Sequence, residues 1–371
     1  MKADKRLHIV SFNVPYPADY GGVIDVFYRI KALYKLGVDV HLHAFTYGRS
    51  PSEELNRYCS EVSYYPRRAG IASALTSKPY IVESRVNSQL IANLGRDDAP
   101  ILLEGLHCCS VLEALGGDRI FVRAHNVEHD YYTSLAGVER NPLRRIYLKT
   151  DARRLRRYEP VLLKAAAVLA VTEADMNHFR AIGCPNVLLM PSSHPDEEVV
   201  SSTGMGDYAF YHADLSVGEN IDAALYLIDQ VFSQSGHRLI VAGRNPSGQI
   251  YRAADRLGNI TVVANPSDGD MRRMMADAQV QILVTKLSTG LKLKLLNSLY
   301  GGRHCLVNSK MVAGTRLGEL CTVADSAEQL RDSLNRLMQT PFTDADINHR
   351  RQLLGDLYSN EANAKKLLSL L

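Results

Sequence analysis

The sequence predicts an α/β protein built from two doubly wound, Rossmann-like halves. Three observations carry this. Short apolar runs with strand length alternate with apolar stripes at helical spacing along almost the whole chain, the pattern of a parallel sheet with helices on both faces. The alternation breaks once, at 191–206 (PSSHPDEEVVSSTGMG), a stretch rich in Ser, Pro, Gly and charge that reads as an interdomain linker. From Ser326 onward the pattern is purely helical. With 371 residues, 46% of them hydrophobic, the chain is long enough for two full cores.

The first apolar run is 7–12. Val23, Val26, Phe27, Ile30, Leu33 and Tyr34 follow at helical spacing, and 38–45 alternates as a second strand. Further strands are expected at 62–65, 101–103, 120–123, 167–171 and 187–190. After the linker come strands at 208–212, 238–242, 260–263, 280–284 and 305–307, separated by helices at about 219–233, 248–257, 269–277 and 290–300. A net charge of +3 does not suggest a nucleic-acid binder. No apolar run approaches the ~18 residues of a membrane span, and the first residues lead from charges directly into a strand, without the apolar region of a secretory leader. The six cysteines have no CxxC spacing, so buried thiols in a reduced, cytoplasmic setting are expected.

Five stretches could carry chemistry. In 281–308 an apolar strand passes through a polar turn and Gly290 into a helix whose stripe is Leu291, Leu295, Leu296 and Leu299, with Lys292, Lys294 and Asn297 off the stripe. Free N–H groups, the helix dipole and two lysines meet there, which suits an anion such as a diphosphate. The loop 14–22 (VPYPADYGG) is stiffened by two prolines, and Gly21 and Gly22 would admit a ligand close to a helix N-terminus. It lacks the GxGxxG order of a dinucleotide-binding loop. His125, in VRAHNVEHD, is expected at a strand's carboxyl end; His125 and His129 lack the HExxH order and no third metal ligand is suggested, so hydrogen bonding or acid/base work is expected rather than a metal. The segment 139–159 carries eight Arg/Lys against three acids, with Leu143, Tyr147, Leu155, Tyr158 and Leu162 along one side: a solvated helix, or one that lies on an anionic membrane. Arg244 closes the strand IVAGR, where it could hold phosphate or form an ion pair.

Taken in order, VPYPADYGG, RAHNVEHDYYTSLA, TEAD at 172–175, YHADLSVGENIDAA at 211–224, VAGRNP and TGLKLKLLNSLYGGRHCLVN resemble the retaining GT-B glycosyltransferases of the family 4, or group 1, type. The resemblance runs over most of the chain. It implies a GT-B fold of two Rossmann-like domains facing a central cleft: 1–195 on the acceptor side, 207–344 binding a UDP- or GDP-linked sugar, and helices at 345–371 returning to the first domain. It implies a metal-independent hexosyl transfer without a further cofactor. His125 and Lys294 would be catalytic; Arg244, Thr289, Gly290, Leu291, Lys292 and Asn297 would bind the donor; Asp19, Tyr20, Gly21 and Gly22 would border the acceptor. That acceptor would be a glycan or lipid-linked glycan, with 140–157 as a peripheral contact on the inner face of the membrane. The family's paired glutamates fall here on Thr289 and Asn297, and its Arg and Lys are missing from HADLSVGEN. A catalytically impaired nucleotide-binding or scaffold protein, or a nucleotide-sugar epimerase, are the alternatives.

Overall fold

The computed structural model describes residues 5–68, 70, 76–139, 141–288 and 290–371. Backbone contacts divide the chain into two units. Unit 1 is Met1–Pro195 with Thr289–Leu291 and Asp356–Leu371; unit 2 is Asp196–Ser288 with Lys292–Gly355.

Unit 1 holds a seven-stranded sheet. Its strands are β1 (Arg6–Ser11), β2 (Asp39–Thr46), β3 (Glu61–Pro66), β4 (Ile101–Glu104), β5 (Ile120–Ala124), β6 (Ala167–Ala170) and β7 (Val187–Leu189), in the order β3-β2-β1-β4-β5-β6-β7. Every pairing is parallel. A parallel sheet is covered on both faces, and alternate residues feed two cores. Leu7 and Ile9 of β1 pack with Leu42, with Val26, Ile30 and Leu33 of the Gly21–Lys35 helix, and with Ala364 and Leu367 of the Asn360–Leu368 helix. Val10 faces the other way, with Leu103, Val122, Leu155 and Phe179. Strand order reverses between β1 and β4, so the crevice beyond their carboxyl ends is where a doubly wound sheet binds its ligands.

Unit 2 repeats the plan with β8 (Tyr208–Asp214), β9 (Arg238–Arg244), β10 (Ile260–Ala264), β11 (Val280–Leu283), β12 (His304–Val307) and the two-residue edge strand β13 (Thr322–Val323). Their order is β10-β9-β8-β11-β12-β13, all parallel, with the reversal between β8 and β11. Arg350, buried in the Asp344–Tyr358 helix, ties this unit together: its guanidinium donates to Ser201 Oγ and Leu299 O at 3.0 Å each, to Gly302 O and to Arg303 O, and it stacks on Phe342.

Two expected elements differ. The helix expected at 219–233 runs over Gly218–Tyr226 and continues as a π turn, Leu227–Val231, and a 3-10 turn, Phe232–Gln234. The helix expected from Gly290 begins at Leu293 and ends at Gly301. Gly290 has φ +69°, a left-handed conformation no right-handed helix can contain, and Lys292 is extended. Lys292 and Leu291 therefore precede the helix instead of belonging to it.

Candidate functional site

In unit 1, a buried charge network lies at the carboxyl ends of β4 and β5. Glu104 ends β4, Arg123 lies in β5, and Asp25 and Arg29 stand one turn apart on the Gly21–Lys35 helix. All four are almost completely buried. Arg123 donates to Asp25 from Nε at 3.2 Å and Nη2 at 3.0 Å, and Arg29 bridges Asp25 and Glu104. Ser193 N–H adds a bond to Asp25 at 2.7 Å. Burial alone would raise the Asp25 carboxyl; Arg123 and Arg29 overcome it and hold Asp25 well below the usual carboxylate range. Two acids balance two guanidiniums, the condition under which buried charge is tolerated.

His125 sits on this network, one residue past β5. Its Nε2 lies 3.0 Å from Glu104 Oε2, its Nδ1 lies 3.4 Å from Asp25 Oδ2, and Phe12 packs edge-on against the ring. Two carboxylates and an aromatic ring fix its orientation, and its side chain keeps 12% exposure.

A Cβ on Gly22 would fall 2.6 Å from Phe12 Cζ, so this glycine makes room for Phe12, the ring beside His125. Gly21 opens the helix and Tyr20 is its N-cap residue. Asn13 donates to Tyr20 Oη at 3.1 Å, while Arg49 donates to Asp19 Oδ1 at 2.7 Å and lies over the Tyr20 ring. Asp19 and Tyr20 are thus held in one small cluster.

The basic segment is the Pro142–Tyr158 helix, capped by the Asn141 side chain. Its apolar stripe is divided. Leu155 belongs to the core, whereas Leu143, Ile146 and Tyr147 are exposed, Leu143 at 77%. The TEAD turn is a helix cap: Thr172 Oγ1 accepts from Asp175 N–H at 3.1 Å and donates to its carboxylate at 2.7 Å.

In unit 2, Lys294 lies in the first turn of the Leu293–Gly301 helix, by the β8 and Gly218–Tyr226 elements. Its Nζ donates to Asn220 Oδ1 at 3.2 Å and stands 5.4 Å from the Tyr211 ring centre. Burial lowers its pKa and Glu219 opposes this. Glu219 already accepts from Thr285 Oγ1 and, at 3.2 Å, from Lys286 N–H. The part-buried cation thus donates to an uncharged amide and faces a ring, with the Glu219 carboxylate acting on it electrostatically. Behind it, His212 is held neutral: burial first, and then Lys294, push it down to about 3, and its Nε2 meets Ser298 Oγ at 3.0 Å.

Asn297, one turn on, donates to Leu293 O at 3.2 Å and to Asp196 Oδ2 at 3.0 Å in the amide orientation that satisfies both ends. Burial raises the Asp196 carboxyl to about 6. Arg244 ends β9, exposed, its carbonyl accepting from Leu215 N–H at 2.8 Å. Thr289 lies outside the described residues. A cavity of about 410 Å³ opens near the carboxyl ends of β11 and β12, lined by Tyr226, Thr285, Lys286, Asn308 and Lys310 among others. Its lining includes neither Arg244, Lys294 nor Asn297.

Sequence reasoning missed Asp25, Glu104, Asn220 and Asp196. Asp25 and Arg29 were legible in principle, as opposite charges four apart on the apolar face of a predicted helix. Glu104 and Asp196 meet their partners only through the fold.

Two parallel doubly wound sheets in one chain define the fold as GT-B. Solved structures of the same fold include HepE from Anabaena in complex with UDP and glucose, with a TM-score of 0.66, 10% identity and 98% of both chains covered. The lipopolysaccharide outer core galactosyltransferase WaaB has a TM-score of 0.64 at 10% identity, over 99% of this chain and all of that one. In sequence, the chain is 24% identical to an uncharacterized 44.6 kDa protein in the cps region of Klebsiella pneumoniae, covering 94% of this chain and 92% of the relative. No protein-family model matches.

Proposed function

We propose that the protein is a glycosyltransferase that moves a hexose from a UDP- or GDP-linked donor to a glycan or lipid-linked acceptor, with retention. Lys294 carries the proposal. A part-buried ammonium in the first turn of a helix, hydrogen-bonded to an amide and facing a ring while Glu219 spends its own hydrogen bonds on Thr285 and Lys286, is stabilised further by an anion that brings its own charge. A donor diphosphate does this, and its charge grows as the sugar–phosphate bond breaks, so Lys294 and the helix dipole act most strongly in the transition state. Arg244 and Lys292 would share the diphosphate, and Thr289, Gly290 and Leu291 would complete the donor contacts. Asn297 would hold the nucleotide ribose, and Asp196, hydrogen-bonded to it, supports the amide from behind. His125, oriented by Glu104 and Asp25, would fix the donor sugar. Asp19, Tyr20, Gly21 and Gly22 would border the acceptor, whose proton passes to the leaving phosphate. The reaction so drawn needs no cofactor.

Within this reading the chain works on the inner face of a membrane. Exposed Leu143, Ile146 and Tyr147 beside Arg144, Arg145 and Lys149 support it, since apolar side chains interleaved with cations suit an anionic bilayer surface. The Klebsiella relative's cps region supports a role in surface polysaccharide synthesis.

Incubation with a panel of nucleotide sugars and acceptor glycans is expected to release UDP or GDP. Lys294→Ala is expected to weaken nucleotide binding by a charge-assisted hydrogen bond, about 1.5–3 kcal/mol. Unchanged nucleotide affinity in that variant would sink the assigned role. The replacement of both family glutamates favours a second reading, a nucleotide-binding protein without turnover. There, nucleotides would raise the melting temperature but no acceptor would provoke release.

A further inference from the structure

His129, Glu159 and His178 come from three separate elements, the Glu128–Val138 helix, the Glu159–Lys164 3-10 turn and the Glu173–Ala181 helix. His178 Nε2 lies 2.8 Å from Glu159 Oε2, and His129 Nε2 lies 3.4 Å from the same oxygen. The three potential ligand atoms all fall within 4.8 Å of one another. We propose that these three side chains bind one zinc ion, in a site apart from the glycosyl-transfer machinery.

The geometry fits. Ligand bonds of about 2.0–2.1 Å in a tetrahedron separate ligand atoms by about 3.4 Å. The His129–Glu159 pair stands at that spacing. The His178–Glu159 pair has to open by roughly half an ångström to make room for the ion. Two imidazoles and one carboxylate form a donor set that zinc takes, leaving a fourth position for water. His178 keeps the greatest side-chain exposure of the three, so water can reach that position.

A second observation points the same way. The other ring nitrogen of His129, Nδ1, lies 3.1 Å from Asp130 Oδ1. Zinc-bound histidines almost always engage a carboxylate or carbonyl through the second nitrogen, which sets the tautomer and the ring plane. Other charged groups act on the cluster: Glu128 on Glu159, Asp175 on His178 and Arg156 on His129. The ion would pin together three elements that otherwise meet through packing and these polar contacts. One of them, the Glu128–Val138 helix, begins three residues after His125. The proposed zinc is therefore a clamp beneath the strand-end loop that carries His125, and no chemical step runs through it.

The test uses the full chain, stripped of metal by a chelator and then titrated with zinc alone. Equilibrium dialysis with elemental analysis should give one zinc per chain, and saturation should raise the melting temperature. His178→Ala and Glu159→Gln should each lose at least 100-fold in zinc affinity, and the zinc-dependent rise should vanish. Asp130→Asn, which touches no metal, should lose about 10-fold. His41→Ala, elsewhere on unit 1, should bind as the parent does. Cobalt titrated into the unmutated chain should give visible bands of four-coordinate intensity. Parent-like zinc affinity in His178→Ala and Glu159→Gln would overturn the proposal. If those variants do not fold, weak six-coordinate cobalt bands in the unmutated protein overturn it instead.

Discussion

His212 shows what a buried cation demands of its neighbours. It shares a hydrogen bond with Ser298 and lies behind Lys294, and burial with that lysine keeps it neutral to about pH 3. The unfolded chain takes up a proton on this ring below about pH 6.5, and the folded chain does not until far lower. The unfolded state thus binds more protons in between, so stability falls as pH drops from 6.5 towards 3. His212→Gln should flatten that slope. Between pH 6.5 and 4.5 the parent should lose about 2 kcal/mol more than the variant in urea unfolding; equal losses would show that the ring titrates freely. Arg123 makes the complementary case. Arg123→Met leaves Asp25 with one guanidinium fewer in a dry site, and stripping a buried ion pair of one partner typically costs 3–5 kcal/mol. An unfolding midpoint unchanged by that substitution would mean water already reaches the network.

At the scale of elements, the strands were readable and the junctions were not. Every strand expected from apolar runs is present within one or two residues, because buried parallel strands need continuous apolar sequence. The edge strand β13 escaped, being two residues long and half exposed. The start of the Leu293–Gly301 helix escaped because the leucine spacing runs on through Leu291 while the backbone at Gly290 turns left-handed. Gly22 is the instructive case. The space a Cβ would fill there belongs to Phe12. Gly22→Ala should therefore displace Phe12 from beside His125 and cost about 1–3 kcal/mol, read by thermal unfolding. Nucleotide affinity should stay unchanged, since the cations proposed to hold the diphosphate, Arg244, Lys292 and Lys294, lie in unit 2. The exposed end of the Pro142–Tyr158 helix carries its own prediction. Leu143→Asp with Ile146→Asp should abolish co-sedimentation with anionic vesicles while leaving the melting temperature within about 1 °C, because surface substitutions seldom exceed 0.5 kcal/mol. Vesicle binding that survives both changes would remove the membrane from the account.

At the scale of the molecule, composition and alternation were enough to read two doubly wound sheets, whereas the candidate site was legible only as separate pieces. The sequence shows His125 and Lys294; it does not show that Glu104 and Asp25 orient one, or that Asn220 and Tyr211 hold the other, because those partners are 21 to 100 residues away in sequence and meet through sheet order. The division into units has a further consequence, for the order in which the chain is made. Ala364 and Leu367 complete a core whose other members include Leu7, Ile9, Val26 and Leu33, more than 300 residues earlier in the chain. That core stays open until residues 364–367 have emerged. Until then a nascent chain carries an open apolar face beside the Gly21–Lys35 helix, and its survival depends on chaperones or on the speed of synthesis. A chain stopped at Gly355 should retain the six-stranded sheet of unit 2 yet accumulate in the insoluble fraction, and adding Asp356–Leu371 in trans as a peptide should restore solubility.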